Sequence, residues 1–384
     1  MDSTSVTDIS VSSKTCPSST QPNQADMNLA QDGDINSILE LNKSEYGPTD
    51  ILATPTDFAW RYNRNPAGQA LVPVVRNDVK EIIGCIWIVP LKLRIKGQNY
   101  LAATGTNLLI HSEYRNTFVY TKLLRQFHRI LKKQNFPLHF SFVSEEAYLQ
   151  QQQRSPQTAW TVPLLVKPLN FSLLLRTYWG NSWLYHFIKP VDWLASKFFS
   201  PYPGKGTGDK IVIRVVKQFD ATFNKLWGDF QDKYPVMLIR DWAFLTWRFT
   251  NTSHRQYRIL VAETEAKMLG YVVLRCTNIR GVNAGLVLDF LVTDDVLGAK
   301  AAAGLLAQAE TYFREQQMAV SLGLMAPFAV EYRHLQQAGY IYLPPKFSPR
   351  PFRFAFFLHD DTQPGLNSLS ERDWFITFAD YESF

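Results

Sequence analysis

Residues 100–133 read YLAATGTNLLIHSEYRNTFVYTKLLRQFHRILKK. The first part is apolar and β-prone and closes on Leu108, Leu109 and Ile110. The second places Phe118 or Val119, then Leu123, Leu124, Phe127, Ile130 and Leu131 three to four residues apart, the spacing of a helix with one buried face. Between them lies a short polar loop, His111 to Thr117, that carries Arg115. A strand that passes through a tight loop into a helix offers an anion the free N–H groups of the first helical turn and the positive end of the helix dipole. The stretch therefore predicts a phosphate cradle, if its loop keeps the residues a cradle needs.

Outward from this stretch, the pattern predicts helices over INSILELNKSEYG from Ile35 and over FAWRYNRNP, which Pro66 stops. Strands follow at Ala70 to Val75, Ile82 to Val89 and Leu91 to Ile95, with a Lys96-Gly97 turn into the opening strand. Downstream, Pro137 to Val143 reads as a strand, and Trp160 to Val166 as the strand that closes the sheet. Residues 1–31 carry almost nothing to bury and read as a disordered tail. The aromatic-rich stretch 169–202 has two readings: an amphipathic segment on a membrane surface, or a bridge packed across two domains. Gly204, Gly206 and Gly208 follow it, but with no Gly-Lys-Ser/Thr and with a strand (IVIRVV) rather than a helix next, they are not a P-loop.

Composition narrows the class. The 384 residues are 46% hydrophobic, enough for two cored domains, and the net charge of +6 is too mild to call for nucleic acid. The three cysteines are far apart and form no CxxC, so neither a disulfide framework nor a thiolate metal site is expected, and a reducing, cytoplasmic setting is the default. The seven histidines form no HExxH, so no metal is expected. The N-terminus has no apolar h-region, and no run of about 18 apolar residues predicts a membrane span.

The second half repeats the first. Trp60-Arg61-Tyr62 matches Trp247-Arg248-Phe249, and each is followed, 24 and 23 residues after its Trp, by an apolar-Gly strand step at Ile83-Gly84 and Leu269-Gly270. LLIHSEYR…YTKLL then parallels LVLDFLVTDDVLGAKAAAGLL. Each Trp would anchor its helix on a sheet, and each Arg would bond a carboxylate or carbonyl.

The order of elements, with Trp60-Arg61-Tyr62, Asn65-Pro66, Ile83-Gly84, Glu113-Tyr114-Arg115, Phe244 to Phe249 and the tail Trp374 to Asp380, resembles the GNAT (GCN5-related N-acetyltransferase) superfamily in a tandem form. The resemblance covers Asp34 to the C-terminus. It implies an α/β (α+β) fold of two tandem mixed β-sheets flanked by helices: an N-terminal domain over 32–168, a bridge and linker over 169–209 and a C-terminal domain over 210–384. It further implies an N-acyltransferase that takes acetyl-CoA or another acyl-CoA as co-substrate and acts on an amine of a small molecule or amino sugar, with the two strands beside the cradle splaying apart near Ile110 in the active copy. The oligomeric state is left open.

In the family an Arg/Gln-x-x-Gly-x-Gly/Ala loop wraps the pyrophosphate, glycine letting main-chain N–H groups come close. Arg115 fits the first position, but Phe118 and Tyr120 stand at the glycines. In the second copy Gly298 is the central glycine, while Asp295 and Lys300 replace the flanking residues. Cofactor contacts are expected at Leu109, Ile110, Arg115, Asn116, Thr117, Phe118 and Val119, or at Gly298 and Lys300. The chemistry needs a base for the amine and an acid for the thiolate. Candidates are Asp289 within the apolar strand LVLDFLV, Glu113 beside the cradle, and Tyr332 on the helix after strand five, one turn before the family's usual place. Asp289 is equally readable as a structural carboxylate bonded across the sheet, and Glu113 as a solvated loop residue. Two other classes remain: a non-catalytic GNAT-like protein that binds a ligand or partner, and a Fem-type aminoacyl transferase relative.

Overall fold

The computed structural model describes residues 28–170, 173, 210–252, 255–360, 363 and 365–381. Most of the expected tail, and the stretch 174–202 with its membrane and bridge readings, lie outside them. The first copy runs α1 (Ile35–Tyr46), α2 (Pro55–Tyr62), β1 (Val74–Arg76), β2 (Ile82–Ile95), β3 (Gln98–Ile110), α3 (Val119–Lys133), β4 (Leu138–Phe142), α4 (Glu145–Arg154) and β5 (Ala159–Thr161). Then come β6 (Leu164–Pro168), β7 (Val212–Val216), α5 (Thr222–Phe230), β8 (Val236–Leu238), α6 (Trp242–Phe249), β9 (Arg258–Glu263), β10 (Met268–Ile279), β11 (Val282–Val292), α7 (Val296–Glu315), β12 (Val320–Leu324), α8 (Val330–Gln337), β13 (Ile341–Leu343) and β14 (Arg353–Leu358).

The helical spacing around Leu123 does what it predicts. α3 buries Leu123, Phe127, Ile130 and Leu131 against the first sheet. Two glycines let it come close: a Cβ at Gly105 would stand 2.8 Å from the Phe127 ring, and one at Gly84 would stand 2.9 Å from Val119. The expected break within β2 is absent; one strand runs through Pro90, which pairs with Ala103. The Gln-rich segment Glu145–Arg154 forms helix α4, started by the Ser144 hydroxyl accepting from the Ala147 N–H.

The two sheets exchange strands. The first has the order β1-β2-β3-β4-β14-β5, with β8 added to β2; the second has the order β13-β6-β12-β11-β10-β9-β7. β6, from the N-terminal half, lies between β12 and β13 of the second sheet, and β14, from the C-terminal half, lies between β4 and β5 of the first. Of the expected closing strand Trp160 to Val166, only Trp160 and Thr161 stay in the first sheet, within β5; Leu164 onward crosses over. Sheet membership thus does not follow a division at residue 168. Part of the reason is chemical: Lys167, almost fully buried, reaches Glu310 of α7 at 2.5 Å and the Ala338 carbonyl at 2.6 Å, partners that only the second copy offers.

The repeated Trp-Arg-aromatic steps meet at the seam. Instead of each anchoring on its own sheet, Trp60 and Trp247 stack on one another, ring centres 4.9 Å apart. Each indole N–H donates to the other's backbone carbonyl, at 2.7 and 3.0 Å. The contact is reciprocal, as an approximate two-fold relation between the copies requires, and leaves neither indole N–H unsatisfied. The arginines do as expected: Arg61 bonds the Asp57 carboxylate at 2.8 Å, and Arg248 donates to the carbonyls of Ala379 and Tyr381.

Where β14 ends, His139 of β4 and His359 stack with ring centres 4.9 Å apart and share a hydrogen bond of 2.7 Å between Nδ1 and Nε2, with His128 of α3 beside them. Burial lowers the pKa of both, that of His359 to about 4, with His128 and Lys132 adding to it; for His139 the added push comes from His359 and His128. An unfolded histidine takes its proton near pH 6.5. The unfolded chain therefore binds more protons between pH 6.5 and 4, and this stability is complete above 6.5 and falls away towards 4. Thermal melts from pH 7 to 4 are expected to show that decline, and a His139→Phe/His359→Phe double variant to flatten it. An unchanged acid limb in the double variant refutes this account.

Candidate functional site

In the first sheet β3 and β4 are parallel, yet only Ala103 and Thr104 pair with His139 and Phe140. At the next residue the Ser141 hydroxyl reaches across, accepting from the Gly105 N–H at 3.1 Å. β3 then continues to Ile110 while β4 ends at Phe142, so the strands part from Gly105 onward. A bulge opposite Ile86, with Asn107 in the left-handed region at φ +47°, bends β3 at this point. The splay thus begins above Ile110 and includes it.

The loop below the splay holds the first group of candidates together. Leu109, Ile110 and Val119 are buried in the core, leaving only their backbone to a ligand. Asn116 and Thr117 are exposed, and the Thr117 hydroxyl donates to the Tyr114 carbonyl at 2.6 Å. Phe118, at the N-cap of α3, gives no side-chain cap, though the Thr117 hydroxyl accepts the Val119 N–H at 3.4 Å. Phe118 is 89% exposed and Tyr120 46%, so both rings lean into solvent. No residue from 111 to 121 has a positive φ, so this backbone does not demand glycine. Arg115 donates to the Ile110 carbonyl at 3.4 Å and is ion-paired with Glu45 of α1. Glu45 also accepts the Ser112 N–H at 2.8 Å. A carboxylate therefore sits where an anionic ligand would meet Arg115. Its only mark in the sequence is an acidic residue at a helix end, 70 positions away. Glu113 is exposed, its N–H near His111 Nδ1 at 3.4 Å.

The second group lies on the other sheet and is closed. β11 and β12 also part, after Val287 and Gly323, but the C-terminal tail fills the gap. Ala326 donates to Ile376, Met325 bridges Thr377, and Phe375 donates to Val236. Asp289 is fully buried and saturated: Arg240 and the Thr377 hydroxyl bond Oδ1 at 3.1 and 2.9 Å, and the Tyr271 hydroxyl bonds Oδ2 at 2.7 Å. This bonding fits the reading of Asp289 as a structural carboxylate. The N–H of Val292, at the end of β11, is taken by Glu331, which also holds Lys233 at 2.7 Å and the Tyr234 hydroxyl.

At the start of α7 Asp295 accepts the Gly298 N–H at 2.6 Å and so caps the helix itself; that bond leads in holding its pKa low. Gly298 is needed for packing, because a Cβ there would meet the Thr293 carbonyl at 1.8 Å. Lys300 is exposed. Tyr332 lies beside Tyr342 of the edge strand β13, and burial, then that neighbour, raises its pKa. Sequence reasoning missed the partners of Asp289, since nothing in the string ties Arg240 to Thr377 and Asp380. Among the described residues no group of three His, Cys, Asp or Glu side chains is placed to hold a metal.

Residues 26–152 match the acetyltransferase (GNAT) domain family. The match covers the N-terminal copy. The whole chain has the two-domain form of that fold. It is similar to a probable N-acyltransferase of Enterococcus faecalis (TM-score 0.57, 10% identity, covering 86% of this chain and 72% of that one). It is also similar to the N-myristoyltransferase of Saccharomyces cerevisiae with bound myristoyl-CoA (0.54, 14%, 85% and 76%). A GCN5-related N-acetyltransferase of Anabaena variabilis gives 0.55 at 11% identity, with 86% and 71% covered. At such identities the likeness is one of fold. No curated protein matches the sequence.

A small cavity of about 20 Å³ lies between the two copies, beside the point where β3 and β4 part. Thr104, Trp60, Trp247, Arg248, Ala379 and Asp380 line it. Burial raises the Asp380 pKa against the pull of Arg240. Among the described residues no helix is long and apolar enough to cross a membrane.

Proposed function

We propose that the chain is an acyl-CoA-dependent N-acyltransferase, with acetyl-CoA the first donor to try, and that the donor binds the N-terminal GNAT copy. The observation that carries this is the contrast between the copies. The first has parted strands, a helix start with no cap from its N-cap residue Phe118 and only a long bond from Thr117, and Arg115 at the loop; the second has its gap filled by the tail and its helix capped by Asp295. The pyrophosphate would lie on the α3 amides and Arg115, displacing Glu45, and the acyl end would run along β3 towards Thr104. The acceptor is an amine of a small molecule or amino sugar. Non-catalytic ligand binding is the second reading, favoured by Glu45 already occupying Arg115.

Titrating acetyl-CoA and longer acyl-CoAs against the full chain, followed by thermal shift and calorimetry, decides between them. A charge-assisted Arg–phosphate contact is worth about 1.5–3 kcal/mol, so Arg115→Ala is expected to weaken acyl-CoA binding roughly 10- to 100-fold while Lys300→Ala leaves it unchanged. No binding of any acyl-CoA at millimolar concentration refutes the enzyme reading. Binding without turnover of any amine leaves the ligand-binding one.

A further inference from the structure

Among the described residues the buried cations have partners, with one exception. Arg61, Lys167, Lys233 and Arg240 each pair with a carboxylate. Arg255 is 7% exposed, and neither an ion pair nor a hydrogen bond engages its guanidinium; its Nη1 is buried without an acceptor. Its guanidinium lies over the face of Trp60, with the ring centre 5.9 Å away. A buried charge left without a counter-charge is costly, and folded chains carry few such groups.

Two more donors gather at the same place. The pairing of Leu274 with Arg258 puts those two residues on one face of the second sheet, where Arg258 lies over Tyr312 of α7. Their chain neighbours Arg275 and Tyr257 therefore belong to the opposite face, and Tyr257 packs there on Phe249 of α6 with ring centres 5.3 Å apart. The Tyr257 hydroxyl is also buried without a partner. Arg275 is half-buried; burial lowers its pKa, Tyr257 works against that and Arg255 adds to it, so these side chains lie within reach of one another. Among the described residues no carboxylate pairs with Arg255 or Arg275. Two guanidinium groups and a phenol, converging with no anion of the protein's own, match the donor set that a carboxylate or phosphate takes up.

We propose that Arg255, Tyr257 and Arg275 form an anion-binding site on the second copy, beside the seam, for the carboxylate or phosphate group of a small-molecule ligand. The site is independent of the acyl-CoA reading, since it lies on the other copy and uses none of the residues of the α3 loop.

The test is a thermal-shift titration of the full chain with inorganic phosphate and, separately, succinate, at ionic strength held constant with sodium chloride. The expected result is a saturable rise in melting temperature of several degrees with at least one anion. The larger rise marks the phosphate or carboxylate source. Arg255→Gln and Arg275→Gln are each expected to remove the rise. Without added anion Arg255→Gln should melt at or above the wild-type temperature, because it deletes an unpaired buried charge. A merely structural arginine would instead lower it. Arg115→Ala should keep the rise. The proposal is overturned by no saturable rise with either anion, by a rise that survives in Arg275→Gln, by a fall of several degrees in anion-free Arg255→Gln, or by a rise lost in Arg115→Ala, which would place the anion on the first copy.

Discussion

Residues 28–209 and 210–384, made as separate chains, are expected not to fold, and to recover a folded one-to-one complex when made together. Each half lacks a strand from the interior of its own sheet. The first sheet needs β14, whose Phe354, Ala355 and Phe356 are wholly buried, between β4 and β5. The second needs β6, with Leu164, Leu165 and Lys167 buried, between β12 and β13. Fully burying a large apolar side chain contributes about 1.5–3 kcal/mol, and each missing strand also leaves two rows of backbone groups unpaired. A typical folded domain has a margin of only about 5–15 kcal/mol, so either loss is enough. Circular dichroism and size exclusion on the three preparations check this. A half that is monomeric and melts cooperatively alone would rule the account out.

Arg240→Met is the point substitution with the largest expected effect. Arg240 is fully buried between Asp289 and Asp380, at 3.1 and 2.7 Å, and it also donates to the Leu238 carbonyl and the Thr377 hydroxyl. Removing one partner of a buried pair typically costs about 3–5 kcal/mol, and here two carboxylates lose their cation together. The penalty should shrink as pH falls, since Asp380, already pushed up by burial, takes a proton more readily once Arg240 no longer opposes it. Denaturant melts at pH 7 and pH 5 measure both effects. Asp289→Asn separates the two readings of that residue. The bonding pattern predicts a lower melting temperature; a variant as stable as wild type but without turnover would restore Asp289 as the base.

Periodicity around Leu123 and the Trp-Arg repeats made the two-copy fold legible before any coordinates, because a helix face and a repeated core are written into local spacing. Strand exchange was not legible. LLVKP reads as a strand in either sheet, and its one clue, Lys167 in an apolar run, gains meaning only from Glu310, 143 residues away. The same holds at the site. Arg115 could be placed from its loop, but Glu45 could not, since a short helix brings it there. Phe118 and Tyr120 look like obstacles in the string; the turn they occupy sends their rings into solvent, which no spacing rule states. Arg255, Tyr257 and Arg275 are common residue types in two segments that become neighbours only through the β9–β10 ladder.

The exchange also sets a timetable for the growing chain. Phe142 of β4 waits for Phe354, 212 positions later. At roughly 5–20 residues per second, a ribosome needs on the order of 10–40 s to cover that distance. Throughout, the first copy is out of the exit tunnel with the edge of β4 bare and its aromatic face wet, the state in which unpaired strands find one another. Newly made protein should therefore depend on chaperones more than its length suggests, and a stop codon near residue 350 should be harsher than one in the last few residues.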